Sequence, residues 1–237
     1  MPRDAVEFVR ATAARASGLA GSGHVRSLDA LVAARGDAHA ALPAPALSRD
    51  QLAGRVVELS ALGASTALST MALVLRDVQA SGDPAAWIGP SSSSFFPPDL
   101  AARGIDLRAL VVVRTSPLAG AAPRLRAAER LLRSGGFGLV IIDGGRDFAL
   151  PLATQGRLAG LAQQHDAILL LLTEKSVDAT SAGAMVSLRL DTTRRRDRSA
   201  GMIGGSAAMR CVAHALKDKR RGPGWELASL LAARPGG

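Results

Sequence analysis

The chain has 237 residues, of which 48% are hydrophobic and only 3% aromatic, and it carries a formal net charge of +9. Its single cysteine, Cys211, excludes an internal disulfide and is typical of a reducing compartment. No apolar segment approaches the roughly 18 residues of a membrane span, and the first residues carry no signal-peptide pattern. Length and composition therefore predict a cytoplasmic protein with one α/β domain and an appendage.

Residues 1–50 differ in pattern from the rest of the chain. Helical spacing over residues 5–16 and again over residues 27–34 is followed by a stretch rich in Ala and Pro at residues 36–48. We interpret residues 1–50 as an N-terminal helical appendage with a linker, and residues 51–237 as the core domain.

From residue 52 the chain alternates between short apolar runs and helical stretches. The apolar runs predict strands at residues 56–60, 85–89, 109–114, 138–144 and 167–174. The stretches between and around them predict helices at residues 65–81, 98–104, 123–135 and 150–165. Continuous apolar runs are typical of strands that are buried on both faces of a parallel sheet. The alternation therefore predicts a parallel sheet flanked by helices.

After Glu174 the apolar pattern approaches a period of two. Residues 185–196, 208–218 and 225–232 predict strands that are separated by turn-forming residues. We expect these strands to extend the sheet in antiparallel fashion. The predicted fold class is therefore α/β, with a mainly parallel sheet, flanking helices and antiparallel C-terminal strands.

The segment around the first strand has the layout of a phosphate-binding loop. Residues 54–76 read GRVVELSALGASTALSTMALVLR, which is an apolar strand, a turn with Gly and Ser, and an apolar helix. A phosphate-binding loop also supplies a lysine to the phosphates. No basic residue occurs between Arg55 and Arg76, so the segment has the layout of such a loop without its cation.

The order of these pieces resembles RecA and its relatives over residues 54–231. AAWIGPSSSSFFPPDLAARGIDLRALVVV is similar to the RecA path from the second strand to the third, and RLLRSGGFGLVIIDG is similar to the approach to the Walker B aspartate. VSLRLDTTRR and ALKDKRRGPGWELASLL resemble the closing RecA strands. The resemblance implies a RecA-like core.

Within this resemblance the residues of the ATPase are missing. Ala67 stands where the Walker A lysine is expected, Leu68 where the Mg²⁺-binding hydroxyl is expected, and Ser91 near the position of the catalytic acid. Asp143 matches the Walker B aspartate, although an aspartate at a strand end is also typical of a turn. The resemblance thus implies a vestigial nucleotide site, no enzymatic activity, no cofactor and no metal. The residues of that site are Gly63, Ala67, Leu68, Ser91 and Asp143.

Among RecA relatives with a degenerate site, the chain most resembles the ImuA proteins, which accompany error-prone translesion polymerases. The shared features are a short N-terminal segment of the SLDALVAARGD type, the degenerate loop, and an end soon after the last RecA-like strands. The resemblance implies a non-catalytic accessory protein of SOS mutagenesis that binds RecA, limits filament formation or recombination, and so favours translesion synthesis. The implied partners are RecA and translesion polymerase components. A cell-division inhibitor of the SulA type is an alternative, because those proteins share the degeneracy.

Basic residues concentrate near the C-terminus. From Arg189 to Arg221 the chain has ten basic residues against three acidic ones. Such runs are usually solvated turns, but they are also typical of surfaces that bind a DNA backbone or an acidic partner. A single-stranded DNA-binding accessory is therefore a further alternative, and we expect the run at 192–201 to face the turn at 217–225. The candidate residues are Arg194, Arg195, Arg196, Arg198, Lys217, Lys219, Arg220 and Arg221.

Candidate partner-binding residues lie near both ends of the chain. Leu28, Leu31 and Val32 fall on one face of the predicted helix at 27–34, which suits docking onto a neighbouring subunit or packing on its own domain. Trp225 lies beside four cations and is either a core residue or an interface anchor.

The loop after the second predicted strand is unusual in composition. Four serines at 91–94 precede Phe95 and Phe96. We expect either a surface loop with the phenylalanines tucked under the sheet, or a loop that closes over the vestigial nucleotide site or presents Phe95 and Phe96 to a partner.

Overall fold

The computed structural model describes residues 44, 46–63, 65–93, 95–196, 202–203, 206–207 and 209–231. The predicted helices of the first 43 residues, with Leu28, Leu31 and Val32, lie outside the described residues, and so does Arg198.

The compact core domain begins at Ala44 and not at residue 51. Leu47 and Leu52 pack against the hydrophobic core, and the Arg49 Nε atom lies 2.9 Å from Asp83 Oδ2. The last residues of the predicted linker therefore belong to the core.

The elements alternate along the chain as the sequence predicts. The helices are α1 Arg49–Leu52, α2 Ala67–Ala80, α3 Pro97–Ala101, α4 Ala122–Arg133 and α5 Leu152–Gln164, with short 3-10 helices at Leu107–Ala109 and Pro117–Ala119. The strands are β1 Val56–Ser60, β2 Ala85–Pro90, β3 Leu110–Thr115, β4 Leu139–Arg146, β5 Ile168–Glu174, β6 Leu188–Arg196, β7 Met202–Ile203, β8 Ser206–Ala207, β9 Met209–Asp218 and β10 Glu226–Leu231.

Eight of these strands form one sheet in the order β10-β9-β6-β1-β5-β4-β2-β3, while β7 and β8 pair separately. In this order, every neighbouring pair from β6 to β3 is parallel. β9 pairs with β6 in antiparallel fashion, and β10 pairs with β9 in the same way. The α/β class with a mainly parallel sheet is confirmed. The expectation that all three C-terminal strands are antiparallel is wrong for β6, because β6 pairs with β1 in parallel register.

Helices cover both faces of the sheet, and the sheet separates the hydrophobic core into two clusters. Buried side chains of α2 pack against one face, and those of α4 and α5 pack against the other. Successive strand residues point to opposite faces. Val57 and Leu59 of β1 therefore lie in the core under α2, whereas the fully buried Glu58 points to the opposite face.

The burial predicted for β3 is wrong. Among the described strands, β3 is the last of the sheet and pairs only with β2. Val111 and Val112 are 45% and 38% exposed. The run LVVVRT has the composition of an interior strand, but burial depends on the strand order, which a local pattern does not contain. The sheet therefore has an exposed apolar edge at β3.

In the part of the chain that the structure describes, we find no helix with the length and apolar character needed to cross a membrane.

Candidate binding cleft

A cleft of about 550 Å³ opens over the carboxyl ends of the parallel strands. Its walls come from the β1–α2 loop, the β2–α3 loop, and the ends of β4, β5 and β6. In open α/β sheets ligands bind at this edge, in crevices of roughly 300 to 1,000 Å³. The cleft therefore has the position and the size of a ligand site.

The β1–α2 loop is held against β6 by its own backbone and side chains. The Thr66 N–H donates to Thr192 O at 3.2 Å, and the Thr66 hydroxyl donates to Thr193 O at 3.1 Å. Gly63, at φ +83°, adopts the left-handed conformation that favours glycine. Ala67 and Leu68 then begin α2 and line the cleft. The first turn of the helix therefore presents Ala67, Leu68 and Ser69 to the cleft and no cation.

Aromatic side chains form the inner wall. Trp87 of β2 is buried, and its ring centroid lies 5.0 Å from that of the half-buried Phe95. Phe96 is largely exposed at the same cleft. The two phenylalanines of the loop after β2 therefore differ, because Phe95 packs inward and Phe96 faces solvent. The Trp87 Nε1–H is buried and has no hydrogen-bond partner within the part of the chain that the structure describes.

Glycine at position 89 leaves room for the side chains of Trp87 and Asp143. A Cβ atom on Gly89 would lie 2.9 Å from Trp87 Nε1 and 3.1 Å from Asp143 Cβ. Both distances are shorter than carbon contacts normally allow. The indole N–H and the Asp143 side chain therefore flank the same point of the cleft wall.

Asp143 near the end of β4 carries a half-buried carboxylate. Arg124 of α4 donates to the Asp143 main-chain oxygen at 2.7 Å, and we find no hydrogen-bond donor to the carboxylate among the described residues. Burial raises the pKa of Asp143 above its ordinary value, and the charge of Arg124 opposes this shift only in part. The carboxylate is thus a half-buried acceptor without a hydrogen-bond donor among the described residues.

Three arginines stand at the mouth of the cleft. Arg146 lies 3.6 Å from Glu174, which offsets its charge. Arg103 donates a long hydrogen bond, 3.4 Å, to the Ser69 hydroxyl. Arg194 is exposed, and we find no acidic partner for it among the residues described. Among the described residues Arg194 therefore lacks an acidic partner, whereas Asp99, four residues before Arg103, lines the same cleft.

The structure brings together most of the residues predicted for a vestigial nucleotide site. Gly63, Ala67, Leu68 and Asp143 all line the cleft. Ser91 is exposed, its N–H donates to Thr115 O at 3.0 Å, and it is not part of the cleft lining, so its assignment to the site is corrected. The sequence analysis did not place Trp87, Arg103 and Arg146 at the site, because no local pattern marks which loop and strand residues face a shared cavity.

The basic residues form two separate groups instead of one surface. In the β6–β9 pairing, Leu188 opposes Asp218 and Arg196 opposes Met209. The eight steps between these pairs span about 26 Å along a strand. Arg194–Arg196 therefore lie at the carboxyl edge beside the cleft, and the turn at 217–225 lies at the opposite edge. The expectation that the two face each other is wrong, because that turn joins β9 to β10 and not β6 to β9.

The turn at 217–225 is tied to its own domain. The Lys219 ammonium donates to Ala184 O at 2.8 Å, and the Arg220 and Arg221 guanidiniums donate to Gln51 at 3.1 and 3.2 Å. Lys217 lies within reach of the same segment as Lys219, although its bonds are longer. These contacts fix α1 and the loop after β5 to the sheet.

Trp225 is half-buried against the core, and its indole N–H donates to Asp218 Oδ2 at 3.2 Å. These contacts give Trp225 a structural role, and its use as a partner anchor stays a prediction. The side chain of Arg195 is exposed and lies 3.3 Å from Glu226.

Comparison of the sequence with protein-family models and with curated proteins finds no match. Over the described ranges, no three His, Cys, Asp or Glu side chains are grouped so that they could hold a metal ion. The function must therefore be inferred from the residues of the cleft and of the sheet edges.

Replacing Asp143 with asparagine is expected to raise the stability of the protein at pH 7. Because its pKa is raised on folding, the folded chain binds this proton more tightly than the unfolded chain. Stability therefore falls as the pH rises from the ordinary carboxylate pKa of about 3.9 through the folded value, and the loss persists at neutral pH. Urea unfolding of Asp143→Asn and the unchanged protein at pH 7 measures the gain.

The gain should shrink at acidic pH, where the carboxyl group of the unchanged protein is protonated in both states. Asp147→Asn is the matched control, because Asp147 is exposed and asparagine also adopts its left-handed conformation, φ 57°. A loss of stability for Asp143→Asn at pH 7 would contradict the expectation and indicate a favourable partner for the carboxylate.

Proposed function

We propose that the chain is a non-catalytic relative of RecA and acts as a protein-binding accessory in DNA-damage tolerance, as the resemblance to ImuA implies. It would bind RecA, limit filament growth or recombination, and so favour translesion synthesis. The observation that carries the proposal is the β1–α2 loop, which keeps the strand–loop–helix layout of a phosphate site but has Ala67 and Leu68 at its helical end.

Hydrolysis of a nucleotide needs several charged groups acting together. A lysine, a metal-binding hydroxyl and a water-activating acid supply the positioning and the electrostatic stabilisation. Asp143 is the retained candidate, and its carboxylate is half-buried in the cleft wall. This supports a role other than ATP turnover.

The contacts of the loop between β5 and β6 favour a protein partner over a DNA partner. In RecA a DNA-binding loop follows the corresponding strand. Here the Ala182 N–H donates to the buried Glu58 at 2.8 Å, and Arg189 Nη2 donates to Ser176 O at 2.7 Å. The Ser187 N–H donates to Val56 O at 2.9 Å. A loop that is fastened at three points to the sheet is poorly placed to wrap a DNA strand.

The exposed edge at β3 is the surface best suited to a protein partner. Its main-chain N–H and C=O groups on the outer side have no neighbouring strand among the described residues, and Val111 and Val112 are exposed beside them. An unpaired apolar edge of this kind is a template for pairing with an extended segment of another chain. We therefore propose β3 as a RecA-binding surface. The described basic groups, in contrast, do not form one continuous surface for a DNA backbone.

A binding titration against RecA without nucleotide, with single-stranded DNA as a parallel sample, tests the proposal. We expect binding to RecA and only weak DNA binding that is lost with added salt. Val111→Lys should weaken RecA binding about tenfold or more, because a charge on the edge opposes strand pairing.

Val177→Lys is the matched control, because Val177 is also exposed, at 50%, and lies in the loop after β5. Its RecA affinity should not change. DNA binding without RecA binding would contradict the proposal and favour the single-stranded DNA accessory. Recovery of the tubulin-like division protein in place of RecA would favour the SulA-type inhibitor.

A further inference from the structure

We propose that the cleft binds an amphipathic anion, a small molecule with a planar apolar body and one negatively charged group, and that it does not bind a nucleoside triphosphate. This inference goes beyond the accessory function, because it concerns a ligand of the chain itself. It depends on three properties of the cleft, which are the large apolar side chains in its lining, its unpaired polar groups and the arginines at its mouth.

The lining is suited to a flat apolar body. Leu62, Leu68 and Phe96 are 58%, 41% and 58% exposed, and all three surround the same cavity as Trp87 and Phe95. Large apolar side chains are costly to leave in water, and aromatic rings favour stacked or edge-to-face contact with another ring. A planar ligand would remove these surfaces from water together.

Two polar groups of the inner wall lack partners and complement each other. The Trp87 Nε1–H is a buried donor without an acceptor, and the half-buried Asp143 carboxylate is an acceptor without a donor among the described residues. They flank Gly89, where any larger residue would block the space between them. Buried polar groups nearly always have partners. The pair therefore marks a place where a polar atom of a ligand is bound.

The mouth of the cleft favours a single negative charge. Arg194 has no acidic partner among the described residues and Arg103 donates to the Ser69 hydroxyl, whereas Arg146 is paired with Glu174. A guanidinium binds a carboxylate, sulfonate or phosphate through parallel hydrogen bonds. A triphosphate would need the loop lysine and a metal ion, and in their place the loop offers Leu62 and Leu68.

Fluorescence titration with 8-anilinonaphthalene-1-sulfonate, a planar anion of this class, tests the proposal on the full chain. The chain has two tryptophans, so the Trp225→Phe protein leaves Trp87 as its sole tryptophan. We expect saturable binding of one dye, accompanied by loss of Trp87 emission through energy transfer. In this background Arg194→Glu should weaken binding about tenfold, because a charge-assisted contact is replaced by repulsion. Phe96→Ala should also weaken binding, and neither exposed substitution should change the urea midpoint.

Matched controls separate the cleft from general dye binding. Lys219→Glu makes the same charge change at the opposite sheet edge, and Leu118→Ala removes a leucine that is 95% exposed outside the cleft. Both should bind the dye as the parent does. The proposal is overturned if Arg194→Glu and Phe96→Ala bind like the parent, if the dye does not affect Trp87, or if ATP with Mg²⁺ displaces the dye.

Discussion

Replacement of Asp218 with alanine is expected to lower the free energy of unfolding by about 3 to 5 kcal/mol. Asp218 Oδ1 accepts a hydrogen bond from Arg55 Nη2 at 2.7 Å, and the two side chains are 0% and 5% exposed. Alanine would leave the guanidinium buried without its counter-charge, which costs far more than losing an exposed pair. Urea denaturation at pH 7 measures the difference.

The pH dependence of this effect has a definite sign. Burial raises the pKa of Asp218, but hydrogen bonds from the Arg220 N–H, the Arg55 guanidinium and the Trp225 indole outweigh it, so the pKa lies below its ordinary value. The folded chain therefore binds this proton less tightly than the unfolded chain. The stabilisation is fully present above the unfolded pKa of about 3.9 and is lost as the pH falls through the folded value. The difference between Asp218→Ala and the parent should shrink accordingly in acid.

Two controls test the interpretation. Glu174→Ala breaks the pair with Arg146, whose side chains are 57% and 70% exposed, and should cost no more than about 1 kcal/mol. The double change Arg55→Met with Asp218→Leu should recover much of the lost stability, because apolar residues of similar volume often replace a buried pair without loss. Equal losses for Asp218→Ala and Glu174→Ala would show that the pair is not buried in solution.

Replacement of Glu58 with alanine is expected to lower the free energy of unfolding by about 3 to 5 kcal/mol, because it removes the contacts of a buried carboxylate. The Glu58 side chain is fully buried and accepts from the Thr173 hydroxyl at 2.9 Å and the Ala182 N–H at 2.8 Å. The Lys175 ammonium lies 3.5 Å away. Removing the carboxylate leaves two buried donors and a largely buried cation without partners.

Amide hydrogen exchange locates the effect of this change. In Glu58→Ala the Ala182 N–H should exchange much faster, because its only acceptor is gone and the loop after β5 is released. Glu58→Gln is the control, since its amide oxygen still accepts from Ala182, and exchange there should remain slower than in Glu58→Ala. Unchanged exchange at Ala182 in Glu58→Ala would mean that the loop is held by other contacts.

The sequence predicted the positions of the helices and strands better than the burial and the pairing of the strands. The first five strands and the helices between them lie where the apolar periodicity indicates, within a few residues. The environment of β3 was mispredicted, because Val111 and Val112 have the same pattern in an edge strand as in an interior one. The parallel pairing of β6 was missed for a similar reason, since the period of two does not indicate the direction of a neighbouring strand.

The cleft was predictable only where strand ends define it. Asp143 ends an apolar run, and Ala67 and Leu68 follow another, so parallel strands bring them to one edge. Trp87 has the sequence context of a core residue and is buried, yet it also forms the cleft wall. The division of the basic residues into two groups depends on which strands the turn at 217–225 connects, and composition carries no sign of it.

The sequence by itself determined the alternation of strands and helices and the absence of a cation from the β1–α2 loop, because periodicity and residue type are local properties of the chain. Only the tertiary structure decided which strand forms the open edge, which arginines meet the cleft and which charges are buried together. Arg55 and Asp218 are 163 residues apart and form a buried pair through the strand order, which brings the ends of β1 and β9 together. The strand order is set by packing the whole sheet at once, and no short segment contains that information.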